Sequence, residues 1–169
     1  MKHILIKGFL LATLAFTNFA CKDDLEYGPL VRDNRPAVPV TFPGATTFGG
    51  NPFIDVSTAA GGTIKFTLSI PASSGRTIKE ITRVVGGGTG INAASLNSAA
   101  AALNTAPIPA NGTTAEFETT LAAFRAKYPT VVVTPGTATV PREIAFIFLV
   151  TLDDNSQIIT QQVRARIAA

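Results

Sequence analysis

Two carboxylates spaced two residues apart, one thiol and one histidine are the side chains through which this 169-residue chain could do chemistry. Glu116 and Glu118 flank Phe117 in a run that reads as a strand, so both would project from one face, about 6.5–7 Å apart. That separation is near the range between the two carboxyls of glycosidases, which need no histidine. Asp55, Glu80, Glu143, Asp153 and Asp154 are the other candidate carboxylates, mostly on solvent faces or turns where charges ordinarily sit. The lone histidine, His3, lies in a cationic and apolar leader and would leave with it. Without an imidazole, a Ser-His-Asp or Cys-His nucleophile, a histidine base and a His-ligated zinc all lack their residues.

Three further motifs are weaker signals. Gly88-Thr89-Gly90-Ile91-Asn92-Ala93 matches G-x-G-x-x-A, but a dinucleotide site also needs a parallel βαβ unit, and the surrounding strands read as antiparallel. A flexible Gly-rich loop is the preferred reading. Asp153-Asp154-Asn155 offers hard oxygens without the spacing of a calcium loop, which favours a plain turn. Asn111-Gly112-Thr113 fits a glycosylation sequon and equally the turn that starts the next strand. No metal and no cofactor are expected.

The amino-terminal end is more specific. Lys2, His3 and Lys7 give a cationic start, residues 9–16 an apolar stretch, and Ala20 is a small residue before the lone cysteine, Cys21. The apolar stretch falls short of the about 20 residues that cross a bilayer, so residues 1–20 read as a cleavable signal and Cys21 as the first mature residue. Lipoprotein processing acylates a thiol at that position. Cys21-Lys22-Asp23-Asp24 resembles the start of surface-exported lipoproteins of Bacteroidota, in which a loose lipobox precedes a Lys/Asp-rich tetrad. The resemblance implies lipidation of Cys21, export guided by Lys22, Asp23 and Asp24, and anchorage on the outer face of the outer membrane.

Removing residues 1–20 takes Lys2 and Lys7 from the 14 cations and leaves the 11 acids, a mature charge of +1. A near-neutral domain without a basic run has no electrostatic footprint for nucleic acid. The remaining 149 residues suit one domain, and with Cys21 acylated no thiol is left for a disulfide.

Residues 21–44 mix acids and Arg with Gly28, Pro29, Pro36, Pro39 and Pro43 and read as lipid anchor and extended tether, with Val38 and Val40 as a candidate first edge strand. Residues 45–169 read as the folded domain. From Thr63 to Ile70, Ile64, Phe66, Leu68 and Ile70 alternate with Thr63, Lys65, Thr67 and Ser69, the period of a half-buried strand. Strands are also expected over Pro52–Ser57, Thr77–Val85, Thr114–Leu121, Arg142–Leu152 and Gln157–Ile167, the last two joined as a hairpin by Asp153–Ser156. Ile144–Val150 is apolar on both faces, as a central strand would be, and the expected core rests on Ile64, Phe66, Leu68, Phe146, Phe148 and Val150. Leu121–Tyr128 reads as a helical turn, and Ala93–Asn104 as either an Ala-rich helix or a long loop, so residues 86–112 stay open between the two.

Short strands with Gly/Pro punctuation suggest an all-β fold, an antiparallel β-sandwich with one or two short helical segments. Phe117 to Ile167, about a third of the chain, resembles the immunoglobulin-like or fibronectin-type modules of Bacteroidota surface lipoproteins, although no Cys–Trp–Cys signature is present. Three functions stay open: a non-enzymatic binding or structural module with an unidentified envelope protein as partner; an accessory glycan-binding lipoprotein of a polysaccharide-uptake system, with Tyr128 as stacking platform; and a carboxylate-only hydrolase using Glu116 and Glu118.

Overall fold

Regular alternation over Ile64–Ser69 does what its period requires: Ile64, Phe66 and Leu68 turn inward and are buried, while Thr63 and Lys65 face solvent. The computed structural model describes residues 37–48, 50–137 and 139–169. Their strands are β1 (Phe53–Ser57), β2 (Thr63–Ser69), β3 (Ile78–Gly87), β4 (Ile108–Pro109), β5 (Thr114–Thr120), β6 (Arg142–Leu152), β7 (Gln157–Ile159) and β8 (Val163–Ala168), with one α-helix, α1 (Leu121–Lys127). The described chain is therefore all-β in class.

β2 and β5 form a two-stranded antiparallel sheet with Phe66 opposite Phe117. It lies over a larger sheet of order β1-β8-β6-β3-β4, in which β7 pairs β6 beside β8. Between the layers Phe66 meets Phe42, Phe146 and Phe148 at ring-centroid distances of 6.2, 5.1 and 5.9 Å, and Phe117 meets Phe148 at 5.5 Å, mostly edge to face. All six side chains expected to carry the core are buried.

An antiparallel sandwich throughout does not hold: β1 runs parallel to β8, Phe53 opposite Arg164 and Val56 opposite Ile167, so the large sheet is mixed. A parallel pair needs a long connection, and β1 and β8 have most of the described chain between them. The Gln157–Ile167 run is also split. Thr160 N–H donates to Phe148 O while the Thr160 hydroxyl accepts from Phe148 N–H, and beyond them the pairing slips by one residue, from Leu149–Ile159 to Phe146–Val163. The slip reverses which face each residue takes, so Val163, Ala165 and Ile167 enter the core and Arg164 and Arg166 point out. β3 carries two comparable shifts, between Ile78 and Glu80 and between Ile81 and Arg83, which bring Ile78, Ile81 and Val84 inward at intervals of three.

Ala93–Asn104 forms no α-helix but two short 3-10 turns, Ala93–Asn97 and Ala99–Ala101. Leu96 and Leu103 are the only large apolar side chains in that run, too few for an apolar stripe to hold a longer helix; Leu96 is buried against Val85 and Ile147 on the outer face of the large sheet, while Leu103 packs against the main core. By contrast α1 forms as expected: the Thr120 hydroxyl accepts from Ala123 N–H at 3.1 Å, and Leu121 and Phe124 are buried. Packing also begins ahead of residue 45. Val40 and Phe42 are in the core, and Thr41 exchanges two backbone hydrogen bonds with Ser69 in a single bridge rather than a strand over Val38–Val40.

Behind α1, the Gly86 backbone lies under two rings, and a Cβ there would stand 2.5 Å from Phe124 and 2.9 Å from Tyr128. Gly86→Ala is expected to cost about 1–3 kcal/mol by overpacking, while Gly88→Ala, with open space around it, stays near the parent in urea denaturation. Phe66→Ala is expected to lose ~3–5 kcal/mol in the same assay, because the cavity lies among rings that cannot collapse into it.

Candidate functional site

β5 places Glu116 and Glu118 on one exposed face, as their spacing requires, and β2 sets Lys65 across from them. Lys65 Nζ lies 3.0 Å from Glu116 Oε2, with both side chains at least half exposed. This is an open, solvated strand face holding a cation, not an enclosed pocket. The Asp153–Ser156 hairpin is closed internally in the same way. Asp154 Oδ1 accepts from Ser156 N–H and Oγ, Asn155 takes a left-handed φ of 66°, Arg76 pairs with Asp153 and Asp154, and Lys79 Nζ donates to Asn155 Oδ1 at 2.8 Å. Arg76 and Lys79 thus occupy the oxygens that a metal ion would need, and no cluster of three metal-ligating side chains occurs among the described residues.

The densest polar constellation was not legible in the sequence. On the outer face of β8 and β6, Glu143 lies opposite Arg166 in register, with Arg164 two pairs along on the same face. Its Oε2 accepts from Arg164 Nη1 and its Oε1 from Arg166 Nε, both at 2.7 Å. Arg164 Nε also donates to Gln162 Oε1 at 2.9 Å, Asn51 donates to the same oxygen, and Gln162 Nε2 donates to the carbonyls of Thr89 and Ile91. The Arg166 guanidinium sits 3.4 Å from the centroid of the Phe53 ring. The one advance signal was the alternation of Gln162, Arg164 and Arg166, which marks an outward face but not its partner. Burial pushes the Glu143 carboxyl upward, but the hydrogen bonds and charges of Arg166 and Arg164 together outweigh it and hold the group below its ordinary value. With both oxygens engaged and the group ionised, Glu143 is poorly placed to give or take a proton.

Beside this network an open cleft of about 410 Å³ is lined by residues that include Asp55, Arg166, Gly136, Thr137 and Pro141. It offers one carboxylate and one guanidinium already engaged by Glu143, which suits polar recognition better than bond-breaking.

Tyr128 is not an exposed platform. Its ring is 4.9 Å from that of Phe124, and its hydroxyl donates to Ala101 O at 2.6 Å and accepts from Gly86 N–H at 2.8 Å. Burial raises its pKa against the opposing effect of the Gly86 hydrogen bond. The Gly88–Ala93 motif follows a strand whose pairings are antiparallel, and its Asn92 side chain accepts from Ala94 N–H to start the first 3-10 turn. Asn111 exchanges backbone hydrogen bonds with Thr114 in a turn. Residues 1–20, Cys21 and the Lys22, Asp23 and Asp24 tetrad lie outside the described residues, and among those described no helix is long and apolar enough to cross a membrane. No family model, curated protein or solved structure matches the chain.

A carboxylate whose folded pKa is lowered adds stability above its unfolded value, and that stability is lost as the pH falls through the folded one. Glu143→Gln is expected to cost about 1–2 kcal/mol at neutral pH, discounted from buried-pair values because Arg164 and Arg166 are 28% and 35% exposed. The gap from the parent should close in acid, below the ordinary glutamate range, in denaturation curves taken from neutral to low pH.

Proposed function

We propose that this chain is an exported, lipid-anchored module of the cell envelope that binds a partner or serves a structural role without catalysing a reaction. The observation that carries the reading is the sequence Ala20-Cys21-Lys22-Asp23-Asp24 behind a cationic and apolar leader, which places the only thiol where lipoprotein processing uses it. The tetrad's likeness to Bacteroidota surface lipoproteins supports an outer-membrane address facing outward. Among the described carboxylates, Glu116, Glu143, Asp153 and Asp154 are each paired with Lys or Arg, which supports a role other than catalysis.

Strand order supports a finer reading of the fold as immunoglobulin-like. β3, β6 and β8 stand in the places of strands C, F and G, β4 in that of C′, and β2 with β5 in those of B and E on the facing sheet. α1 lies at the crossover from E to F. The chain departs from antibody domains in having no inter-sheet disulfide and no tryptophan; Phe66, Phe146 and Phe148 fill the centre instead.

Intact mass of the protein from its native host, together with protease shaving of whole cells, tests the address. The parent should carry a diacylglyceryl-type mass increment and be shaved from intact cells, and Cys21→Ser should lose both. An unmodified chain in the medium or periplasm would overturn the anchored reading.

A further inference from the structure

The small sheet is much narrower than the sheet it covers. Two strands span about 5 Å between their axes, whereas the five neighbours of the large sheet span about 19 Å. β5 lies beside β3 and β4, the last two strands of the large sheet on that side.

Strand geometry identifies which backbone groups this edge leaves open. Ser69 directs its N–H and C=O away from β5, to Thr41, so Leu68, Phe66 and Ile64 bond inward to Ala115, Phe117 and Thr119. On β5 the alternate residues then face outward. Thr114 is satisfied by Asn111, while the N–H and C=O of Glu116 and Glu118 have no partner among the described residues. Alongside runs a cleft of about 400 Å³ between Pro109–Asn111 and Thr114–Glu116. Glu116 and Glu118 supply two carboxylates on the solvent face, and only Glu116 has a cation within salt-bridge distance among the described residues.

An open edge bordered by a cleft accepts an extended strand, whose backbone supplies the missing partners while alternate side chains supply specificity. A second copy of this domain is disfavoured, because pairing β5 with its own counterpart would set Glu116 and Glu118 against the same carboxylates across the ladder. An extended segment that carries cations meets no such repulsion. We propose that the outer edge of β5 binds an extended basic segment of another protein by strand addition, its apolar side chains turned to the cleft and its Lys or Arg side chains to Glu116 and Glu118. Opposite charges directly across a strand pair are favourable, and an acidic segment would be repelled there.

The inference rests on the binding-module reading but not on the lipid anchor, so a chain unmodified at Cys21 that still binds would separate the two. The probe is a synthetic peptide of alternating valine and lysine, with a valine–glutamate peptide as control, titrated into the full chain and read by anisotropy and residue-resolved amide exchange. The lysine peptide should slow exchange at Glu116 and Glu118 by about tenfold or more, and the glutamate peptide should not. Glu118→Pro removes an N–H that points away from β2, so it should abolish binding with the melting temperature nearly unchanged. Should that variant fail to fold, Glu116→Lys with Glu118→Lys keeps the backbone and should invert the preference between the two peptides. Absence of protection at both amides, equal binding by a folded Glu118→Pro chain, or an uninverted preference would each overturn the proposal.

Discussion

Everything in the described domain is arranged around one constraint: Phe42, Phe66, Phe117, Phe124, Phe146 and Phe148 must share one dry layer with no disulfide to help hold it. Aromatic rings bury large areas but tolerate little misplacement, since their contacts are edge to face at specific separations. The register shifts in β3 and between β7 and β8 follow from that need. Each inserts one residue, and without the second, Val163, Ala165 and Ile167 would face solvent while Arg164 and Arg166 faced the rings.

The same shift creates the polar outer face. Once Arg164 and Arg166 point outward, two cations stand side by side on one strand, and Glu143 on β6 lies where it can accept from both. Gln162, at the shift itself, reaches across to the carbonyls of Thr89 and Ile91 and ties the Gly-rich loop to the sheet. A residue inserted for the sake of the core thus also sets the charge arrangement and loop position outside it. Because its members satisfy one another, the network reads as a fixed surface rather than a reaction centre.

How much of this was legible depends on how regular the local pattern is. β2, β5, β6 and α1 stand close to where alternation, an apolar run and helical spacing put them, because in each the side-chain period survives intact. Thr77–Val85 shows no clean alternation, because two bulges turn the inward residues of β3 to a spacing of three. The run after residue 157 looked continuous because a one-residue slip leaves composition unchanged. Parallel pairing of β1 with β8 and the charges around Glu143 depend on contacts between distant segments, about which local sequence is silent. Proline and charge made residues 21–44 read as tether, yet Val40 and Phe42 close the end of the aromatic layer. A few buried side chains outweighed composition.

Function follows from where the layer ends. Among the described residues two strands suffice to cover the aromatic cluster on one side, no third strand pairs with β5, and the backbone there is an unfinished ladder. Natural sheets commonly blunt such edges with charge, and Lys65, Glu116 and Glu118 do so here against other whole domains. Charge of one sign is also selective. The two carboxylates on β5 oppose acidic strands and leave basic ones a complementary face, so the same residues serve both exclusion and choice of partner. With Tyr128 turned inward, Phe48 is the one fully exposed aromatic side chain among the described residues, and the other exposed apolar side chains there are few and scattered. On the proposed reading, backbone pairing along β5, tuned by Glu116 and Glu118, supplies the recognition chemistry.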